Sequence, residues 1–306
     1  MFANKVVLVT GGSSGIGAAA VEEFAKQGAS VAFVGRNETR LQEVAKKCEQ
    51  YGANTLVIKA DVSKDEQAKT VIQQTVDKFG KLDVLVNNAG ILRYAPVTDP
   101  KLLANFDEVM NTNLRPVIHL SSLAIPHLIA SKGNIVNVSS VLATCNKVPG
   151  TISYCMSKAA MDHFTRVAAT ELAPHGVRVN SINPGPVITD IRTNSGMPED
   201  LPQDKIVEKL TALGRYSEAD EIGELILFLA RSPSVTGSCY LIDNGMGLKR
   251  SPGQLGHSTQ ADDDRGFSPS LSRDVIPRDR VQVIILPVSG LARETLGCMA
   301  RTRLAI

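Results

Sequence analysis

Five cysteines are spread through 306 residues (Cys48, Cys145, Cys155, Cys239 and Cys298), odd in number and without a CxxC pair. They offer no basis for a disulfide framework or a thiolate zinc site, and they fit a reducing compartment. The five histidines show no ligand spacing with cysteines or carboxylates, so no metal is expected. No apolar run approaches the roughly 18–20 residues of a membrane helix. The opening MFANKVVLVT lacks the basic, apolar and cleavage regions of a secretory signal, so a cytoplasmic location is expected. An excess of one charge is missing too. Lys and Arg number 33 against 31 Asp and Glu, a net of +2, which is no footprint for nucleic acid or an anionic membrane surface. The 43% hydrophobic content argues against global disorder.

What is present divides at residue 248. Residues 249–306 hold nine basic and six acidic side chains, and eight of the nine are Arg. Residues 1–248 hold 24 basic and 25 acidic side chains, with Lys predominant. In this first part, short β-branched runs read as strands: Lys5–Thr10, Ser30–Val34, Asn54–Ala60, Leu82–Val86, Asn134–Ser139, Val177–Ile182 and Ser238–Ile242. Amphipathic helical patterns lie between them at Ile16–Gln27, Glu38–Gln50, Lys64–Lys78, about Leu102–Ala130, Tyr154–Ala173 and Ala219–Leu229. Ser63, with Glu66 three residues on, has the spacing of a capping box. Pro116 and Pro126 are expected to kink or interrupt the fourth helix. Alternating strands and helices imply right-handed crossovers and an α/β doubly wound parallel sheet of seven strands. The strands are continuous apolar runs, as a sheet covered on both faces requires. Residues 1–248 are therefore expected to form one domain. Residues 249–306, rich in Ser, Gly, Asp and Pro at their start, are expected to be a C-terminal extension with little structure.

The first strand runs into Thr10-Gly11-Gly12-Ser13-Ser14-Gly15-Ile16-Gly17, followed at once by a helix. Gly11 permits a tight reversal, Gly15 lets backbone approach a ligand, and Gly17 lets the helix pack close to the sheet. A helix N-terminus then faces a pyrophosphate. The second strand ends in Gly35-Arg36-Asn37, with no acid before Glu38 to hold a ribose 2′-hydroxyl. Arg36 has a planar fork suited to a 2′-phosphate, so NADP(H) is expected in preference to NAD(H).

Tyr154 and Lys158 stand four apart on a helical stretch, one turn apart on one face. A free Tyr titrates near 10 and is a poor proton carrier at neutrality; a neighbouring ammonium lowers that value. With TGGSSGIG at 10–17, NNAG at 87–90, NVSS at 137–140 and YCMSK at 154–158, residues 1–248 resemble the short-chain dehydrogenase/reductase family. DVS at 61–63 and NPGPVITD at 183–190 add to the likeness.

The resemblance implies a Rossmann-type fold and specific roles. Tyr154 would be the general acid in carbonyl reduction and the base in the reverse direction. Lys158 would lower the pKa of Tyr154 and hold the nicotinamide ribose. Ser140 would bind the substrate oxygen, and Asn113 would hold a water linking Lys158 to the proton supply. The cofactor would meet the turn residues Gly11, Ser13, Ser14, Gly15, Ile16 and Gly17, with Arg36 and Asn37 at the second strand. Asp61 and Val62 would meet its adenine. Asn87, Ala89 and Gly90 would line it after the fourth strand. Pro184, Gly185, Val187 (or Ile188) and Thr189 would cradle the nicotinamide end. Dimers or tetramers through the helices at 102–130 and 154–173 are implied as well.

The sequence departs from the family pattern at two points. Ser140 lies 14 residues before Tyr154, one more than the family spacing, so either the intervening loop carries an insertion or Ser139 takes the role. Ser14 stands where NADP-preferring members often carry a basic residue. Cys155 points away from Tyr154 or is a reactive thiol, and Arg93 and Tyr94 either rim a substrate pocket or lie on the surface.

The function expected is hydride transfer between NADP(H) and a small-molecule carbonyl or secondary alcohol. The likeness is to 3-oxoacyl-[acyl-carrier-protein] reductase-like or general alcohol dehydrogenase-like members. The alternatives are an NAD-dependent alcohol or hydroxysteroid-type dehydrogenase and a catalytically silent dinucleotide sensor or scaffold. Residues 189–212, polar and broken by Pro, are expected to form a mobile lid that sets the substrate.

Overall fold

The computed structural model describes residues 2–145, 147–192, 195–197 and 203–248. Seven strands form one sheet: β1 (Val6–Thr10), β2 (Ser30–Gly35), β3 (Thr55–Lys59), β4 (Val84–Asn87), β5 (Asn134–Val138), β6 (Arg178–Pro184) and β7 (Cys239–Ile242). Their order is β3-β2-β1-β4-β5-β6-β7, and every pairing is parallel. The apolar runs explain this arrangement. Every residue of β1 and β4 is buried, because helices cover both faces of the sheet.

Among the described residues there are eight α-helices, six of which cover the sheet. They are α1 (Gly15–Lys26), α2 (Glu38–Glu49), α3 (Asp65–Phe79), α4 (Leu102–Asn113), α5 (Arg115–Ser131), α6 (Ile152–Leu172), α7 (Gln203–Leu210) and α8 (Ala219–Arg231). Alternate residues of β1 feed two cores. Val7 and Val9 join Phe24, Phe33, Leu41 and Ile226 on the side of α1, α2 and α8. Leu8 joins Ile72, Leu85, Leu120, Leu128 and Leu172 on the side of α3, α5 and α6. Each of these large side chains contributes about 1.5–3 kcal/mol on burial.

One local expectation holds, the interruption at Pro116, and two change. The long helical pattern over 102–130 is two helices, broken at Leu114. Pro116 sits in the first turn of α5, where its missing N–H costs no helical bond, and Pro126 is accommodated inside α5. The Ser63 capping box does not form. The N-cap of α3 is Lys64, and the Ser63 hydroxyl donates instead to Asp61 Oδ1 at 2.7 Å. A capping box does form at α8, where Glu218 and Glu221 exchange side-chain and backbone bonds.

The stretch 189–212 holds a short 3-10 turn at Asp190–Arg192 and all of α7. Residues 193–194 and 198–202 of it, and the whole segment 249–306, lie outside the described residues.

The strand sequence reverses direction between β1 and β4, and a parallel sheet opens a crevice at such a point, outside the carboxyl ends of its strands.

Candidate active site

A cleft of about 860 Å³ opens at that reversal, lined by the β1–α1 turn, the ends of β2 and β3, and the segment after β4. The turn is built by sterics. Gly11 and Gly15 take left-handed φ values of +68° and +52°. A Cβ on Gly17 would overlap the carbonyl oxygen of Gly11, so the helix enters at a distance only Gly allows. Asn88 clamps the turn from the neighbouring strand. Its amide donates to the Thr10 carbonyl at 2.8 Å and to the Gly11 carbonyl at 3.2 Å. The Thr10 hydroxyl accepts from the N–H groups of Asn88 and Ala89 at 2.9 and 3.0 Å.

Ser14, the N-cap of α1, makes no side-chain cap, and the first turn of α1 carries no acid. The positive end of the helix is therefore left to face the cleft. A long cleft with an uncapped helix N-terminus at its centre fits an anionic dinucleotide.

Ser13, Ser14, Gly15, Ile16, Arg36, Asn37, Asp61, Val62, Ala89, Gly90 and Thr189 line the cleft with Gly11. Gly17 lies behind the turn. Asn87 is buried, donating to Asn137 Oδ1 at 2.9 Å and Ser121 Oγ at 3.3 Å. Asn37 spends its side-chain oxygen on capping α2, accepting from Arg40 N–H at 3.1 Å. Pro184, Gly185 and Val187 do not line the cleft. Gly185 packs against the backbone of Asp243, and Val187 pairs with Ser217. Arg40 and Lys59 line it beside Arg36. Arg40 pairs with Asp190 at 2.6 Å and Lys59 with Glu38 at 2.9 Å, whereas Arg36 forms no ion pair among the described residues. A cation four residues after Arg36 on an amphipathic helix was the available signal for Arg40. Nothing in the sequence places Lys59 opposite.

The motif residues of the other strands meet behind Gly90. A Cβ there would come within 3.4 Å of Asn113 Oδ1 and 3.6 Å of Lys158 Nζ. Asn113, fully buried at the end of α4, locks the segment after β4. It accepts from Ile91 N–H at 2.8 Å and donates to the Ile91 carbonyl at 2.9 Å. Lys158, 3% exposed, donates to the Val138 carbonyl at 2.8 Å and lies 5.6 Å from the Tyr154 ring centroid. The two serines after β5 point differently. Ser139 Oγ donates to the Lys158 carbonyl at 3.2 Å, while the Ser140 side chain hydrogen-bonds Tyr154.

Burial dominates the electrostatics here. The phenol is raised to about 12: burial and, less strongly, Cys155 push it up, and the Ser140 hydrogen bond draws it down. Burial also pulls Lys158 down to about 8, with Asp162 opposing.

Tyr94 and Arg93 have separate fates. Tyr94 backbone N–H donates to the Ser195 carbonyl at 2.7 Å, and its ring lies against Gly150 in the loop between Ser140 and Tyr154. Arg93 lines the cleft and is held by Glu108 through two bonds of 2.6 and 2.7 Å.

Comparison with known proteins places this geometry in a family. The family profile described as short chain dehydrogenase matches residues 5–200. A 3-oxoacyl-[acyl-carrier-protein] reductase of Thermotoga maritima is 37% identical over 247 residues, 79% of this chain and 97% of that protein. An L-fucose dehydrogenase of Mus musculus is 34% identical over 265 residues, 83% of this chain and 94% of that protein. Among solved structures, a short-chain dehydrogenase/reductase of Caenorhabditis elegans with cofactor has a TM-score of 0.77 at 34% identity, covering 84% of this chain and 99% of that one. A short-chain dehydrogenase of Burkholderia cenocepacia in complex with NADP has a TM-score of 0.75 at 34% identity, covering 80% and 99%. With the parallel sheet, the glycine turn and these relatives in agreement, the chain belongs to the short-chain dehydrogenase/reductase family of NAD(P)-dependent oxidoreductases.

Proposed function

We propose that the protein reduces a small-molecule carbonyl to a secondary alcohol with NADPH, and runs the reverse reaction at higher pH. The observation that carries this reading is Tyr154, buried and hydrogen-bonded to Ser140, with Lys158 one helical turn away. When bound, the nicotinamide supplies or accepts the hydride. The protein's part is to orient the carbonyl and deliver a proton. Ser140 Oγ–H and Tyr154 O–H donate to the carbonyl oxygen, where negative charge develops. An alkoxide is a far stronger base than a phenolate, so Tyr154 gives up its proton as the charge forms. Lys158, one helical turn away, stabilises the resulting phenolate by its charge. Asn113 holds the Ile91 backbone beside Lys158 and so keeps the wall of the cleft in place. Ser139 is committed to the α6 backbone, which favours Ser140 as the substrate-binding hydroxyl.

NADP(H) is proposed over NAD(H) because β2 ends without an acid and Arg36 lines the cleft there. The Burkholderia cenocepacia relative, which binds NADP, supports this. The named relatives suggest two substrate classes to try first: a 3-oxoacyl thioester for reduction and a sugar lactol for oxidation. Apolar side chains stand exposed on the outer faces of α4, α5 and α6, among them Leu103, Ile118 and Val167. Self-association through these helices is proposed with the activity. NADPH oxidation followed across a panel of carbonyl compounds tests the function, and no turnover with any carbonyl class would overturn it.

A further inference from the structure

Asp162 is a carboxylate that the reaction as described does not use. It lies on α6, 3% exposed, and forms no ion pair at contact distance among the described residues. Removing a carboxylate from water is costly, so a protein keeps one inside only where hydrogen bonds or charge make up the loss. Here both kinds of partner are present. Oδ1 accepts from Ser181 Oγ at 3.0 Å, and Oδ2 accepts from Asn183 Nδ2 at 2.6 Å, both donors standing on β6. The same Asn183 amide donates to the backbone carbonyl of Ser140 at 3.0 Å. Asp162 also follows Lys158 by four residues, which puts the two on one face of α6, a turn apart.

We propose that Asp162 is a positioning residue with two actions: its carboxylate keeps the Lys158 ammonium charged inside the protein, and through Asn183 it fixes the Ser140 backbone against Tyr154. The proposal rests on the reading of Ser140, Tyr154 and Lys158 as the reacting set. The surroundings of Lys158 leave Asp162 as its charged partner. α6 presents Tyr154 and Asp162, β5 the Val138 carbonyl, α4 the Asn113 amide, and the segment after β4 the bare Gly90. β6 presents to Asp162 only the neutral Ser181 and Asn183. Burial of Lys158 favours its neutral form, and Asp162 is the charge that resists this.

Asp162→Asn removes the charge and keeps the size. Lys158 then loses its proton at lower pH. Reduction needs the ammonium, so activity that falls as pH rises through the Lys158 midpoint falls earlier in the variant. The Lys158 ε-carbon resonance, titrated in the protein without cofactor, should move its midpoint down by about one pH unit. The alkaline limb of kcat for carbonyl reduction should move the same way, and Asp162→Glu should restore both. Ser181→Ala removes one hydrogen bond and keeps the charge, so it should lower the melting temperature and leave the midpoint in place. A merely structural Asp162 would give the same midpoint in Asp162→Asn as in the unaltered protein, and that result overturns the proposal. Should that variant not fold, the unaltered protein still decides. Its Asp162 carboxyl resonance should inflect at the Lys158 midpoint, and a flat trace contradicts the coupling. The resonance titrations need no turnover, so absence of reductase activity would refute the functional reading while these measurements still judge the pairing.

Discussion

Burial raises the Tyr154 phenol above its ordinary value, so it holds its proton well past neutrality. This favours one direction. In the proposed reaction reduction needs the protonated phenol beside a charged Lys158; the phenol is protonated at neutrality and titrates above Lys158. Oxidation needs the phenolate, so it gains as pH rises. The overall reaction exchanges a proton, so the ratio of the two directions shifts with pH whichever group carries it; the informative quantity is kcat for oxidation of one alcohol, which should rise from pH 6 to pH 10, and a flat kcat would mean that another group takes the proton. Arg36 makes the second residue-scale prediction. Arg36→Glu places a carboxylate where a 2′-phosphate would lie and where a ribose hydroxyl can be accepted. kcat/KM with NADPH should fall by about tenfold or more while that with NADH holds or rises, and an unchanged preference would remove Arg36 from the site. The YxxxK spacing was legible in the sequence, but the shift of its tyrosine was not. Burial is a property of the packed fold, and no residue near Tyr154 in sequence reports it.

Among the elements, the loop between Ser140 and Tyr154 is the one whose shape the chemistry depends on. Gly150, with φ +79°, sits where a Cβ would run into the Tyr94 ring, and its carbonyl accepts from Ala95 N–H at 2.8 Å. Gly150→Ala should therefore push the loop off Tyr94, lower kcat by an order of magnitude or more and leave NADPH binding nearly intact. Equal loss of binding and turnover would show that the whole domain had been disturbed. Strand positions were readable to within two residues, because continuous apolar runs between polar turns have few other uses in a parallel sheet. Helix ends were readable to the same margin, and Pro116 marked the interruption beside Leu114. The pairing of Asn113 with Ile91, 22 positions apart, is tertiary, whereas the loss of the Ser63 cap is local, its hydroxyl turning to Asp61 two residues back. The short helix α7 escaped notice inside a polar, Pro-broken stretch, where eight residues give too little periodicity to stand out. Asp162 escaped too. A carboxylate on an amphipathic helix reads as solvated until β6 is seen to cover it.

Over the whole molecule, the sheet order brings residues from 11 to 191 to one cleft, and motif order in the sequence anticipates which strand ends contribute. The pairing of Arg40 with Asp190, 150 positions apart, belongs to topology alone. The outer faces of α4 to α6 carry the remaining prediction at this scale. The protein should sediment as a dimer or larger, and Val167→Asp should shift it towards the monomer without changing its circular dichroism. A protein that is monomeric from the outset would rule out self-association. The central claim, however, is that Tyr154 gives the proton in NADPH-dependent carbonyl reduction. It is tested most directly by Tyr154→Phe, with NADPH binding and carbonyl turnover measured on the same sample. Binding within about twofold of the unaltered protein, with turnover reduced by about a thousandfold, is the expected result; turnover close to that of the unaltered protein would contradict it.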